Sequence, residues 1–380
     1  MRLRSFLIFL LLLALVHAYV SLRLVPEIFD GTPGRVAGAV ALVLSWVLFP
    51  VTVLDERIAS RRIRDLLVWL GGFSMGLFSS LLWLTLLRDI LLGATFFALP
   101  ADEYQQLRHV SALAVPVLSM LVSLIGLFYA RRRAHVVDVI VPIANLPAAL
   151  NGFRIVQITD VHVGPTIKRG YVKAIVDKVN ELQPDLVAVT GDLIDGDIKE
   201  LAGHTAPLAR LSGRHGVYYV TGNHEYYSGV KPWIREFGRL GMKVLSNEHV
   251  LLNHDGAVLL LAGVTDYSAG HFDPQNASDP AAAIAGAPAG VGAKVLLAHQ
   301  PRSAPAAAAA GFDLQISGHT HGGQFWPWTL FVGLQQPFTS GLNRLNDLWI
   351  YTSRGTGYWG PPNRFGVPSE ITRIQLVPAA

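Results

Sequence analysis

Phe153-Arg154-Ile155-Val156-Gln157-Ile158-Thr159-Asp160-Val161-His162 runs from an apolar strand into an acid and a histidine two residues apart. Phe153–Thr159 has the β-branched, apolar make-up of a buried strand. The same junction recurs downstream. Asp185–Thr190 leads into Gly191-Asp192, and Val217–Val220 into Gly222-Asn223-His224-Glu225. Val295–Ala298 leads into His299, and Leu314–Ile316 into Gly318-His319-Thr320-His321. Each time a metal-seeking residue stands just past the carboxyl end of a strand, the edge where ligands and catalytic groups gather in α/β folds. Helical spacing over Arg169–Leu182, over Ile198–Leu211 and from near Arg302 to Ala310 alternates with strands, among them Val258–Ala262, Trp349–Thr352 and Ile371–Leu376. That order predicts α/β packing with stacked sheets. Ala281–Ala293, rich in Ala, Gly and Pro, reads as a loop.

The spacing has chemical sense. Residues i and i+2 of an extended segment point to one side, so Asp160 and His162, and likewise His319 and His321, aim into one pocket. Asp and neutral imidazole suit Mn, Fe or Zn, and a carboxylate bridges two ions readily. Asp192 has no second ligand beside it and is the natural bridge. Gly191, Gly222, Gly318 and the Gly322-Gly323 pair are expected to let the backbone turn sharply here. Two divalent metals side by side are a standard device for hydrolysing phosphate esters. Any one of these motifs alone is an ordinary turn; all of them in order at strand ends are not. His204, His215, His249, His254 and His271 lack a partner motif and are expected at the surface. Arg354 and Arg364 have the fork geometry to grip a second phosphate, or serve in structural pairs. Phe325-Trp326-Pro327-Trp328-Thr329-Leu330-Phe331 follows a ligand directly and reads as core or as an apolar wall against lipid.

The first 133 residues are of another kind. Four uncharged apolar runs, 5–22, 36–54, 66–87 and 110–130, have the length of membrane spans. Ile90–Pro100 is too short to span and reads as an interfacial or re-entrant piece. The first run has a rival reading as a signal peptide, with Arg2 and Arg4 ahead of it and Val16-His17-Ala18 as a cleavage site. His17 reads as a neutral residue tolerated in or near the interface. Arg2, Arg4, Arg57, Arg61, Arg62, Arg64, Arg131, Arg132 and Arg133 fall on one side, against Arg23, Arg35, Arg88 and Arg108 on the other. The positive-inside rule then puts both ends, and the catalytic half, in the cytosol of a multi-pass inner (cell) membrane protein. Residues 134–150 read as a connector and 151–380 as the catalytic domain.

The motif set resembles the calcineurin-like metallophosphoesterases, whose pattern is D-x-H, G-D, G-N-H-D/E, H and G-H-x-H. Gly318–Gln324 and Gly355–Pro362 resemble the membrane-associated bacterial branch. The resemblance implies a four-layer α/β/β/α sandwich after the transmembrane helices. It implies one ion on Asp160, His162, Asp192 and His321, and a second on Asp192, Asn223, His299 and His319. It makes His224 the catalytic, non-ligand histidine that contacts the phosphate or protonates the leaving group. Glu225 is the mild departure, since Asp is commoner there. The family includes enzymes that cleave the pyrophosphate of UDP-diacylglucosamine, so the resemblance and the membrane anchor together imply a lipid-linked substrate.

Composition narrows the alternatives. With no cysteine there is no disulfide framework, thiolate site or cysteine nucleophile. The 51% hydrophobic and 15% charged content fits a membrane chain. A net charge of +4, with much of the basic charge beside apolar runs, reads as topology information, and no nucleic-acid partner is expected. Two rivals stand: a phosphodiesterase or phosphatase on soluble nucleotides or phosphoproteins with the helices as tether, and a non-enzymatic sensor or transporter. Against the transporter, the expected spans hold no acidic residue to mark an ion path.

Overall fold

A computed structural model describes residues 3–51 and 60–379. The chain divides into two compact units: Met1–Tyr129 with Gly360–Phe365, and Ala130–Trp359 with Gly366–Ala380.

The first unit is helical. It comprises α1 (Leu3–Ile28), α2 (Thr32–Leu48), α3 (Arg61–Thr95) and α4 (Ala101–Arg131). Among the described residues α1, α3 and α4 are long and apolar enough to cross a membrane, while α2 is 17 residues. The span expected at 36–54 is thus a shorter helix. Pro50, with no N–H and a clash against helical backbone before it, follows its end. Residues 52–54 of that span, and Arg2 and Arg57 of the charge count, lie outside the described residues.

Of Ile90–Pro100, expected as a separate interfacial piece, Ile90–Thr95 is the last part of α3. Arg88 and Asp89 do not break the helix because both are satisfied. Arg88 donates to Ser111 Oγ at 3.0 Å and to the Arg108 carbonyl at 2.9 Å. Asp89 accepts from Tyr19 at 2.7 Å and Arg23 at 2.8 Å. So α3 carries Asp89 beyond the expected span, and that carboxylate is paired. His17 is buried, with Nδ1 2.8 Å from the Leu13 carbonyl and its ring stacked on Phe78.

The second unit holds two six-stranded sheets. Its strands are β1 (His135–Ile143), β2 (Arg154–Ile158), β3 (Leu186–Val189), β4 (Val217–Tyr219), β5 (Lys243–Val244), β6 (Glu248–His254), β7 (Ala257–Gly263), β8 (Ala293–Leu297), β9 (Leu314–Ser317), β10 (Gly341–Leu345), β11 (Leu348–Thr352) and β12 (Glu370–Pro378). One sheet is ordered β1-β12-β2-β3-β4-β5 and the other β10-β11-β9-β8-β7-β6. Strands β2, β3 and β4 run parallel, as do β7, β8 and β9. Residues 134–150, expected as a connector, contribute β1, which pairs with β12 along its whole length.

Period-two side-chain alternation, with both faces packed, explains why the central strands are mainly apolar. Ile155, Leu186 and Ala188 face a core shared with Leu259, Leu261, Val295 and Leu297 of the other sheet. Their neighbours Val156, Val187 and Val189 face a second core with α5 (Arg169–Glu181) and with Trp233 and Phe237 of a helix at Val230–Arg239. Leu260, Ala262 and Leu296 face a third core with Ala304 and Ala307. Each such fully buried aliphatic side chain contributes about 2 kcal/mol. With both faces of each central strand packed, the strand ends hold the polar residues.

Candidate metal centre

The loops after β2, β3, β4, β8 and β9 bring Asp160, His162, Asp192, Asn223, His299, His319 and His321 together. Three clusters of ligand atoms form: Asp160–His162–His321, His162–Asp192–His224 and Asp192–His299–His319. Asp192 Oδ2 is the crossing point. It lies 3.1 Å from His299 Nε2 and 4.0 Å from both His162 Nε2 and His224 Nε2. His321 Nε2 is 3.5 Å from Asp160 Oδ1.

Backbone strain marks the same residues. Asp160, His162, Asp192, His319 and His321 all have φ between 51° and 71°, the left-handed region that side chains other than glycine's seldom adopt. Such strain persists where surrounding structure imposes it, and it clusters at functional sites. Of the glycines expected to permit sharp turns, Gly191, Gly322 and Gly323 do so, at φ 89°, 59° and 83°. Gly222 is different: its φ is ordinary, −101°, but a Cβ there would run into the Asp192 carboxylate. Its role is close approach rather than a turn.

The polar groups are fixed in detail. Asp160 accepts from the Thr159 hydroxyl at 2.7 Å and from the His319 N–H at 3.0 Å. Asp192 Oδ1 accepts from the His224 N–H at 2.9 Å. His299 Nδ1 lies 2.7 Å from the Thr190 carbonyl, which turns Nε2 toward Asp192. Glu225 accepts from the N–H groups of Gly222, Asp192 and Leu193 at 2.7, 3.0 and 2.8 Å. It therefore braces the loop backbone and leaves His224 to another partner.

That partner is Asp195, which sequence reasoning missed. Asp195 Oδ1 lies 2.6 Å from His224 Nδ1 and 3.0 Å from His162 Nδ1. One carboxylate thus fixes the tautomer of two imidazoles and points both Nε2 atoms toward Asp192. The signal was present as an Asp three residues after Asp192, with no histidine beside it to draw attention.

Electrostatics follow from burial and neighbours. Burial works against the ionised Asp192, yet His299, His224 and His162 together hold it well below the usual carboxylate range. Burial also opposes charge on His224, but Asp192 and Asp195 outweigh it and push its pKa up to about 9. Burial and the adjacent His299 depress His319 to about 3, which keeps that imidazole neutral.

The donor set fits divalent metal ions. His162 Nε2 faces His321 Nε2 at 3.1 Å, and His299 Nε2 faces His319 Nδ1 at 3.2 Å. Asp195 and the Thr190 carbonyl occupy Nδ1 of His162 and His299, so Nε2 of each ring is the atom left to offer a lone pair to a cation. Asn223 Oδ1 is buried without a hydrogen-bond partner, as suits an oxygen reserved for an ion.

Arg354 and Arg364 are placed differently. Arg354 is in the two-sheet unit, with its Nε 2.7 Å from Glu370 and its stem close to Gly322. Arg364 is fully buried in the helical unit, where its N–H donates to the Gly126 carbonyl. His254, expected at the surface, is 7% exposed, with Nδ1 2.9 Å from His215 and its ring edge-on to Phe153.

Residues 153–323 match the family model for calcineurin-like phosphoesterase. An uncharacterized metallophosphoesterase of Campylobacter jejuni is 35% identical over 275 residues, 71% of this chain and 70% of the relative. The chain belongs to the calcineurin-like phosphoesterase family. An uncharacterized metallophosphoesterase of Aquifex aeolicus is 31% identical, covering 59% of this chain and 84% of the relative. A transmembrane protein with metallophosphoesterase domain from Danio rerio is 37% identical over 268 residues, 68% of this chain and 61% of its own length. The chain therefore spans less than two thirds of that vertebrate relative. The two-sheet unit carries the calcineurin-like phosphoesterase domain.

Proposed function

We propose that the protein is a membrane-anchored dimetal phosphoesterase hydrolysing a phosphoester or pyrophosphate, with a lipid-linked molecule as substrate. The observation that carries the reaction class is Asp192, whose carboxylate is common to two of the three ligand clusters. In this reading Asp160, His162, Asp192 and His321 hold one ion, and Asp192, Asn223, His299 and His319 hold the other. When bound, a pair of Mn, Fe or Zn ions lowers the pKa of water and neutralises charge on the phosphoryl oxygens.

The chain's own residues do the rest. Thr159 and the His319 N–H fix Asp160, and Asp195 and the Thr190 carbonyl orient the imidazoles. His224 keeps Nδ1 on Asp195 and donates a proton from Nε2 to the leaving oxygen. The domain takes the family's four-layer α/β/β/α arrangement. The three long helices and Thr32–Leu48 anchor it by four passes, and the arginine bias puts the metal centre on the cytosolic side of the inner membrane.

The test is full-length protein in detergent with Mn²⁺, assayed on lipid-linked phosphoesters and pyrophosphates, nucleotides and phosphopeptides. Hydrolysis of the lipid-linked members is expected. Hydrolysis confined to soluble esters would remove the lipid part of the proposal. Protein that binds metal yet hydrolyses nothing in the panel would contradict the reaction class. A reporter fused to the C-terminal end is expected to behave as cytoplasmic, and a periplasmic signal would reverse the orientation.

A further inference from the structure

From residue 314 to residue 343 the chain carries no Asp, Glu, Lys or Arg. Within that stretch, residues 325–336 form a loop pinned at both ends. Phe325 is buried at one end and Gln336 at the other. Gln336 Nε2 donates to Gln300 Oε1 at 3.2 Å, and Arg302 Nε donates to the Gln335 carbonyl at 2.8 Å. Between the pins, apolar side chains face outward. Trp328 is 42% exposed, Leu330 70%, Phe331 37% and Leu334 84%.

Much of this loop's backbone is paired within the loop. The N–H groups of Leu330, Phe331, Leu334 and Gln335 donate to the carbonyls of Pro327, Trp328, Phe331 and Val332, each at 3.0 Å. Loops are kept out of lipid mainly by unpaired backbone groups and charged side chains. This one has no charge, and these four amides are paired within it. Pinned ends make the outward apolar face a fixed feature of the fold. An exposed apolar patch of this kind marks an interaction surface.

The same chain carries three helices long and apolar enough to cross a membrane, so a bilayer is always at hand. Tryptophan favours the headgroup boundary, and leucine and phenylalanine the acyl region just beneath it. We propose that residues 328–334 are a membrane-docking loop that places Leu330, Phe331 and Leu334 at the acyl boundary of the bilayer, with Trp328 at headgroup level. The proposal concerns this surface and stands independently of the reaction.

The absence of cysteine makes the test direct. Full-length Leu334→Cys, labelled with an environment-sensitive fluorophore, is reconstituted into phosphatidylcholine nanodiscs with or without lipid spin-labelled near the glycerol. Asp347→Cys, in the exposed turn between β10 and β11, is the water-facing control. Docking predicts blue-shifted emission, roughly twofold quenching by the spin-labelled lipid and protection from iodide at position 334. At position 347 iodide quenches and the lipid does not. Quenching by iodide alone at both positions would overturn the proposal. Protection of position 334 from both quenchers would mean that protein covers the loop, and would overturn it equally. Both substitutions are at exposed positions, so neither outcome depends on a folding defect.

Discussion

The helical unit and the two-sheet unit bury polar groups in opposite ways. Among the helices, three groups that break the apolar pattern meet complements: Asp89 meets Arg23 and Tyr19, Arg88 meets Ser111 and two carbonyls, and His17 meets a carbonyl and Ser45. At the strand ends of the other unit, like faces like. Imidazole nitrogens oppose one another at 3.1 and 3.2 Å, and Asn223 Oδ1 is buried with no protein donor. Polar burial alone therefore does not mark a site. Convergence of acceptors beyond what the protein's own donors satisfy is what marks one, and it calls for cations.

Breaking the convergent side has the largest expected effect. Asp192→Asn keeps the shape but removes the charge shared by two ligand clusters. Most bound metal should be lost, and hydrolysis should fall by roughly 10³-fold or more. A folded Asp192→Asn protein that retains both metals would show that the carboxylate is not the bridge.

His224→Ala comes next. It should leave metal content intact and slow hydrolysis by roughly 10²–10⁴-fold, the usual contribution of a positioned proton donor. The loss should be larger for alkyl esters than for nitrophenyl esters, whose leaving oxygen needs little protonation. Equal losses on the two would make His224 a contact to the phosphoryl group instead.

Asp195→Asn sharpens the comparison, because Asp195 touches imidazoles from their far side. It should weaken metal binding by about 10–100-fold through His162, the usual cost of losing a group that orients a ligand. Metal titration of the variant checks this, and unchanged affinity would confine Asp195 to His224.

The smallest effect belongs to the helices. Asp89→Asn removes a partly exposed ion pair and should cost about 1 kcal/mol or less, with no change in metal content. A thermal melt alongside metal analysis reads both.

Much of this was legible in the sequence, for a local reason. Each ligand follows a mainly apolar run, and a strand packed on both faces reads as one even where it holds a hydrogen-bonded polar residue such as Gln157. The β2–Asp160 and β9–His319 junctions are therefore visible without knowing what lies opposite. Long-range contacts were not visible. Asp195 acts across loops on His162 and His224, and nothing in its own neighbourhood says so. Gly222 resembles a turn glycine, but its constraint comes from Asp192, thirty positions earlier. Edge strand β6 (Glu248–His254) mixes charged, polar and apolar residues because only part of it is buried, so it gives no clean strand pattern. The helix at Val230–Arg239 was missed because Pro232 and Gly238 interrupt its spacing, though Trp233 and Phe237 anchor it in the core. In the helical unit, Arg88 and Asp89 look like the end of a span, and only their partners explain why α3 continues to Thr95.

The central claim is that the strand-end cluster holds two ions. Elemental analysis of full-length protein, loaded with Mn²⁺ and freed of excess by gel filtration, tests it most directly. The account predicts two metals per chain, falling to one or none in Asp192→Asn. Folded wild-type protein that binds a single metal, or none, under saturating Mn²⁺, Fe²⁺ and Zn²⁺ in turn would contradict it.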